Sequence, residues 1–104
     1  MKEEQKNIFL DFAVNLNRIG EWVCDDYAKK KNRIDIVLDQ QRSYITKFNS
    51  SLLSDHSQEV FAHFLKKYPF LEEEIRKNYK KNLILGEELM TWSNILTHKA
   101  NTII

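Results

Sequence analysis

Two glycines and one proline in 104 residues leave this chain few places to turn. Sandwiches, barrels and propellers are built from short strands and need turn residues roughly every 8–12 positions. Those architectures are excluded, and a small number of long segments remains. The apolar residues within these segments recur at spacings of three and four, the period of one helix face. Phe9, Phe12, Leu16, Ile19, Val23 and Tyr27 make the first stripe, with Glu4, Asn7, Asp11, Asn15, Arg18 and Asp25 opposite, and predict a helix over residues 4–29. Ile34, Leu38, Gln41, Ile45, Phe48 and Leu52 make a second, over residues 33–52.

The segment between them, Lys29-Lys30-Lys31-Asn32-Arg33, has neither glycine nor proline. The apolar phase passes straight through it. One continuous helix is therefore an alternative, but it would span about 70 Å at 1.5 Å per residue. A break near Asn32 is expected instead, because asparagine tolerates the backbone of a helix end.

Ser50, Ser51 and Ser54 mark the clearest loop. Asp55 with Gln58 forms a capping-box pattern, with Ser54 as the alternative cap. A third helix over residues 55–67 follows, burying Val60, Phe61, Phe64, Leu65 and Tyr68. Pro69 is expected to end it and to open a fourth helix over residues 70–100, since the residue before a proline avoids helical geometry and proline suits a first turn. Glu72, Glu73 and Glu74 would then meet the positive end of the helix dipole.

The fourth stripe begins with Leu71, Ile75 and Tyr79 and continues with Leu85, Leu89, Trp92 and Leu96. Leu83, Ile84 and Met90 widen it into a broad apolar arc. The expected fold is thus all-α, a small up-down four-helix bundle forming one domain over residues 1–104. Its core should contain Phe12, Leu16, Ile19, Val23, Leu38, Ile45, Phe48, Phe61, Phe64, Leu65, Ile75, Tyr79, Leu89 and Leu96. Gly20 and Gly86 sit in mid-helix near buried faces, where each costs up to about 1 kcal/mol relative to alanine. A close helix crossing is the expected return.

Charge restricts the function classes. Sixteen Lys and Arg stand against fifteen Asp and Glu, a net charge of +1, less basic than a typical nucleic-acid binder. Glu3 and Glu4 are unlike a secretory leader, and Asp11 and Asn15 interrupt the apolar run from Ile8 to Leu16. No membrane span is expected. The single Cys24 excludes a disulfide framework and a cysteine-based zinc site, and fits a reducing, cytoplasmic setting.

Catalytic patterns are missing: two isolated glycines cannot form a phosphate-cradling loop, and Asp25 and Asp26 disfavour a thiolate at Cys24. The reading is a non-enzymatic protein without a cofactor. His56, Glu59 and His63 share one helix face, the one constellation with metal-ligand chemistry, although two of them also suit a solvated first turn. Lys29, Lys30, Lys31 and Arg33, then Arg76, Lys77, Lys80 and Lys81, with Lys66 and Lys67 between, would give a nucleic-acid-associated regulator its phosphate contacts. The competing reading is a solvated face carrying i,i+4 ion pairs: Glu72 with Arg76, Glu73 with Lys77, Asp25 with Lys29 and Asp26 with Lys30.

The aromatic and leucine placement favours a protein partner. Trp22 lies off the first stripe, as do Leu10 and Val14, and the last helix is apolar over more than one face. Trp22, Leu10, Val14, Leu85 and Trp92 are the expected partner-binding residues. The expected function is a protein–protein interaction or regulatory module acting through an apolar helix face, with a homodimer as its simplest assembly.

Overall fold

The computed structural model describes residues 2–25, 27–77 and 82–103. Four helices make up the bundle: α1 (Lys2–Cys24), α2 (Tyr27–Lys47), α3 (Asp55–Lys77) and α4 (Leu83–Lys99). Short 3-10 turns at Ser50–Leu52 and Ala100–Thr102 follow α2 and α4, and the described residues contain no strand. The helices alternate in direction. At one end the Asn82 amide donates to the Val23 carbonyl at 3.0 Å, and the Tyr27 hydroxyl donates to the Ile75 carbonyl. At the other end Gln5 donates to the Lys47 carbonyl and accepts from the Asn49 amide, so one side-chain amide ties α1 to the end of α2.

The first connection differs from the expected one. The chain breaks after Cys24, not near Asn32, which lies inside α2. The alternative of a continuous helix is excluded too, since the longest dimension of the molecule is 40 Å. The Asn82 amide satisfies a carbonyl in the last turn of α1 from 59 residues away. Such a tertiary partner replaces a local stop residue.

Pro69 does not separate two helices. α3 runs from Asp55 to Lys77 with the proline inside it. The proline forfeits one backbone bond, because it has no N–H for the Leu65 carbonyl. Five buried residues outweigh that loss: Phe61, Phe64, Tyr68, Leu71 and Ile75 keep a 3-4-3-4 spacing across it. The expected helix over residues 70–100 is correspondingly divided. Asn82 adopts extended geometry and its side chain accepts from the Leu85 amide at 3.0 Å, capping α4. Tyr79, expected in the core, lies outside the described residues. At the start of α3 the cap is Ser54, whose hydroxyl accepts from the Ser57 amide at 3.3 Å, while the Gln58 amide group reaches back to the Leu53 carbonyl.

The core has two textures. From the end closed by Gln5 and Asn49 inward, Phe9, Phe12, Phe48, Phe61, Phe64 and Tyr68 pack as tilted and edge-to-face rings, with centroids 4.8–6.2 Å apart. Leu16, Ile19, Ile34, Leu38, Ile75, Leu89 and Leu96 fill the remainder at zero exposure. Ile45, Phe48 and Leu65, expected inside, are half-buried and border this cluster, and Val60, also expected inside, is half-buried. Asn15, expected on the outer face, is buried. Fully buried Gln41 donates to the Phe12 carbonyl at 2.8 Å.

The α1–α4 seam bears out the expected crossing. A Cβ added to Gly20 would lie 2.7 Å from the Gly86 carbonyl oxygen, and one added to Gly86 would lie 2.6 Å from the Gly20 carbonyl oxygen. The two backbones touch because neither residue has a side chain. Ser93 seals the same seam by donating to the Ala13 carbonyl at 2.7 Å.

Candidate interaction surfaces

α4 is in contact on two flanks. Gly86 and Ser93 face α1, and Trp92 faces α3, with its ring 5.0 Å from Phe64 and 6.2 Å from His63. Leu85, Leu89 and Leu96 point into the core. What remains outside is apolar only at the start of the helix, where Leu83 is 54% and Ile84 81% exposed; Glu87, Thr91, Asn94, Thr97 and His98 make the rest of its outer face polar. Helical period puts Leu83 on the α1 flank, seven residues before Met90, and Ile84 on the α3 flank, eleven before Ile95. Phe70 of α3, 71% exposed, lies on the outer side of its own helix, off the buried stripe.

The expected partner-binding residues do not gather into one face. Leu85 is buried, which removes it from any surface. Trp92 and Trp22 are partly buried against the core. Leu10 and Trp22 each lie six residues from Leu16 in opposite directions, and so stand about 120° to either side of it. Leu10 is half-buried and Val14 exposed, on the flank of α1 that borders α4. The surface candidates are thus Leu10, Val14, Met90, Leu83 and Ile84. Phe70 and Ile36 are exposed apolar residues that pattern reading passed over, and an apolar residue off the stripe is the signal that finds them.

Two of the three basic segments come to the same end of the bundle, while Lys66 and Lys67 lie exposed at the middle of α3. Lys29, Lys30, Lys31 and Arg33 lie in the first turns of α2, and Arg76 and Lys77 close α3; Lys80 and Lys81 lie outside the described residues. Carboxylates occupy that end as well. Arg76 pairs with Asp39 at 3.0 Å, Asp35 at 3.4 Å and Glu72 at 3.5 Å. Lys77 pairs with Glu73 at 3.0 Å, and Lys31 with Asp35 at 3.8 Å. The expected Glu72–Arg76 and Glu73–Lys77 pairs are therefore present; Asp26 lies outside the described residues. Hydrogen bonding to Glu73 raises the pKa of Lys77, and hydrogen bonding to Glu72 raises that of Arg42.

His56, Glu59 and His63 are all exposed on α3. Among the described residues no three His, Cys, Asp or Glu side chains gather as a cation site. Cys24 holds its thiol 3.8 Å from the Leu83 carbonyl, beside Gly86. No helix is long and apolar enough to cross a membrane among the described residues. The sequence matches no protein-family model and no curated protein, and the fold matches no solved structure.

Proposed function

We propose that this protein is a non-enzymatic interaction module whose working surface is the apolar first turn of α4 with the adjoining flank of α1, and that its first partner is a second copy of itself. The observation that carries the reading is the exposure of Leu83 and Ile84 on a helix whose other flanks are already packed. Side chains of this size are ordinarily enclosed, and the rest of the exposed face of α4 is polar. Contiguous apolar surface is rarely left uncovered, and a two-fold dimer is the commonest cover. Leu10, Val14 and Met90 extend the surface along the α1 flank. The presence of a single cysteine, Cys24, supports a reducing, cytoplasmic setting.

Light scattering over a range of concentrations tests this. The expected mass is twice the 12.5 kDa of the chain, falling to one chain in Ile84→Glu, a change at a side chain with few contacts to lose. A mass of 12.5 kDa that does not change with concentration overturns the homodimer.

A second reading, association with nucleic acid, draws support from the meeting of the α2 and α3 basic segments at one end. Binding through phosphates would weaken steeply with added salt. The carboxylates paired with Lys31, Arg76 and Lys77 place it second.

A further inference from the structure

The outer face of α2 carries charge of one sign. By helical period, Lys29, Asn32, Arg33, Ile36, Gln40 and Ser43 fall within about 60° of one line. All six are exposed, and the line runs opposite buried Ile34, Leu38 and Gln41. The one α2 carboxylate that borders it, Asp39, is held by Arg76 of α3 at 3.0 Å. The outer face of α3 is different: Asp55, Glu59 and Glu73 alternate with Lys66 and Lys77, and Lys77 pairs with Glu73 at 3.0 Å. In a chain of net charge +1, a face of one sign is a local arrangement rather than a result of composition.

The fold gains little from these groups. The first turn of α2 holds Lys29 and Lys30 and no carboxylate, against the positive end of the helix dipole. The side chains of Lys30, Asn32, Arg33 and Gln40 make no hydrogen bond or ion pair among the described residues. Ile36, at the centre of the line, is 59% exposed. The helix also stands clear of α3, because long side chains bridge the two and a groove lies beside Pro69. A helix with its side chains is about 10–12 Å across, and the major groove of B-form DNA is about 12 Å wide. Arginine reads guanine there, asparagine and glutamine read adenine, and an apolar side chain meets the thymine methyl group. An acidic protein would satisfy the cations but would leave the Asn32 and Gln40 amides no comparable task.

We propose that the outer face of α2 is a recognition helix for duplex DNA. Asn32, Arg33 and Gln40 meet base edges in the major groove, Ile36 meets a thymine methyl group, and Lys29 and Lys30 meet flanking phosphates. This rests on the nucleic-acid reading given above and narrows it to one helix and one groove. The test is fluorescence anisotropy with a labelled random-sequence pool of duplexes of about 20 base pairs, from which the tightest binders are then selected. Pool binding should weaken at least about 40-fold between about 50 and 200 mM salt, the loss for about three phosphate contacts. Asn32→Ala with Gln40→Ala should cost the selected duplexes about tenfold or more and leave pool binding unchanged, since neither residue is charged. Lys29→Ala with Lys30→Ala should weaken both equally while keeping or raising Tm. Lys66→Ala with Lys67→Ala, on α3, should change neither. No binding to the pool at the lower salt overturns the proposal and the nucleic-acid reading together, as does tighter binding to polyglutamate. DNA binding that the α2 variants leave intact, or tighter binding to the separated strands or to duplex RNA, overturns the recognition helix alone.

Discussion

The seam between α1 and α4 and the seam between α2 and α3 hold the same bundle together by opposite means. At the first, Gly20 and Gly86 bring two backbones into contact, with Ser93 bonding to a main-chain carbonyl. At the second, Arg42 reaches Glu72 and Arg76 reaches Asp35 and Asp39, leaving a groove beside Pro69. A glycine contact holds only at one distance and tolerates no added atom. Charged side-chain tips bridge a wider gap and re-form after small shifts. The difference teaches where this fold can change: the α1–α4 seam is brittle and the α2–α3 seam is adaptable.

The strongest way to break this contrast is to add a methyl group to each glycine. Gly20→Ala with Gly86→Ala should destabilise by about 2–4 kcal/mol in denaturant unfolding, despite the better helix propensity of alanine. The cost should fall short of the sum of the single variants, because both act on one contact. Equal stability would mean that the helices separate freely there.

On the other seam, Pro69→Ala should stabilise, by roughly 1–2 kcal/mol, because alanine restores a donor for the Leu65 carbonyl and Pro69 is exposed. A loss of stability would show that the proline shapes α3 in a way that the burial pattern does not reveal.

Alkaline unfolding sharpens the comparison further. Tyr68 has a raised pKa in the folded state, so above pH 10 the unfolded chain releases this proton first. Stability should therefore fall as pH rises through 10, by up to about 1.4 kcal/mol per pH unit from this group. Tyr68→Phe should lack that share of the slope, and an identical slope in both proteins would remove Tyr68 as its source.

The smallest effect belongs to the outermost pair. Glu73→Gln should leave Tm within error, since an exposed i,i+4 pair contributes little. A clear drop would mean that the α3 surface charges act as a network.

Much of the fold was legible because burial follows helical period. The stripes of α1 and α2 appear inside as read, apart from half-buried Ile45, Phe48 and Leu52, the last two lying beyond the end of α2, and the two glycines forecast the crossing. The connections were less legible, because tertiary partners decide them. No local residue marks the end of α1; an amide from Asn82 does that work. Asn82 itself interrupts an apolar stripe and reads as a blemish until its cap is seen. Pro69 misled because a local rule was applied without the stripe around it, whereas the buried line of Phe61, Phe64, Tyr68, Leu71 and Ile75 runs past it unbroken. The surface was legible in part. Leu10 and Val14 were found as off-stripe residues, but the arc of α4 could not be divided into Leu85 inside and Ile84 outside without knowing which helices flank it.

The contact between Gly20 and Gly86 also governs how this chain acquires its structure during synthesis. α1 emerges from the ribosome long before the helix it must touch, and the loop that closes between those glycines spans more than half of the 104 residues. Until α4 is made, Leu16, Ile19 and Val23 lack one wall of their enclosure. The nascent chain therefore carries exposed apolar surface for most of its translation, the period in which chaperones engage and mispairing with neighbouring chains begins. Ordering is expected to come as one late cooperative step, on arrival of α4, rather than helix by helix.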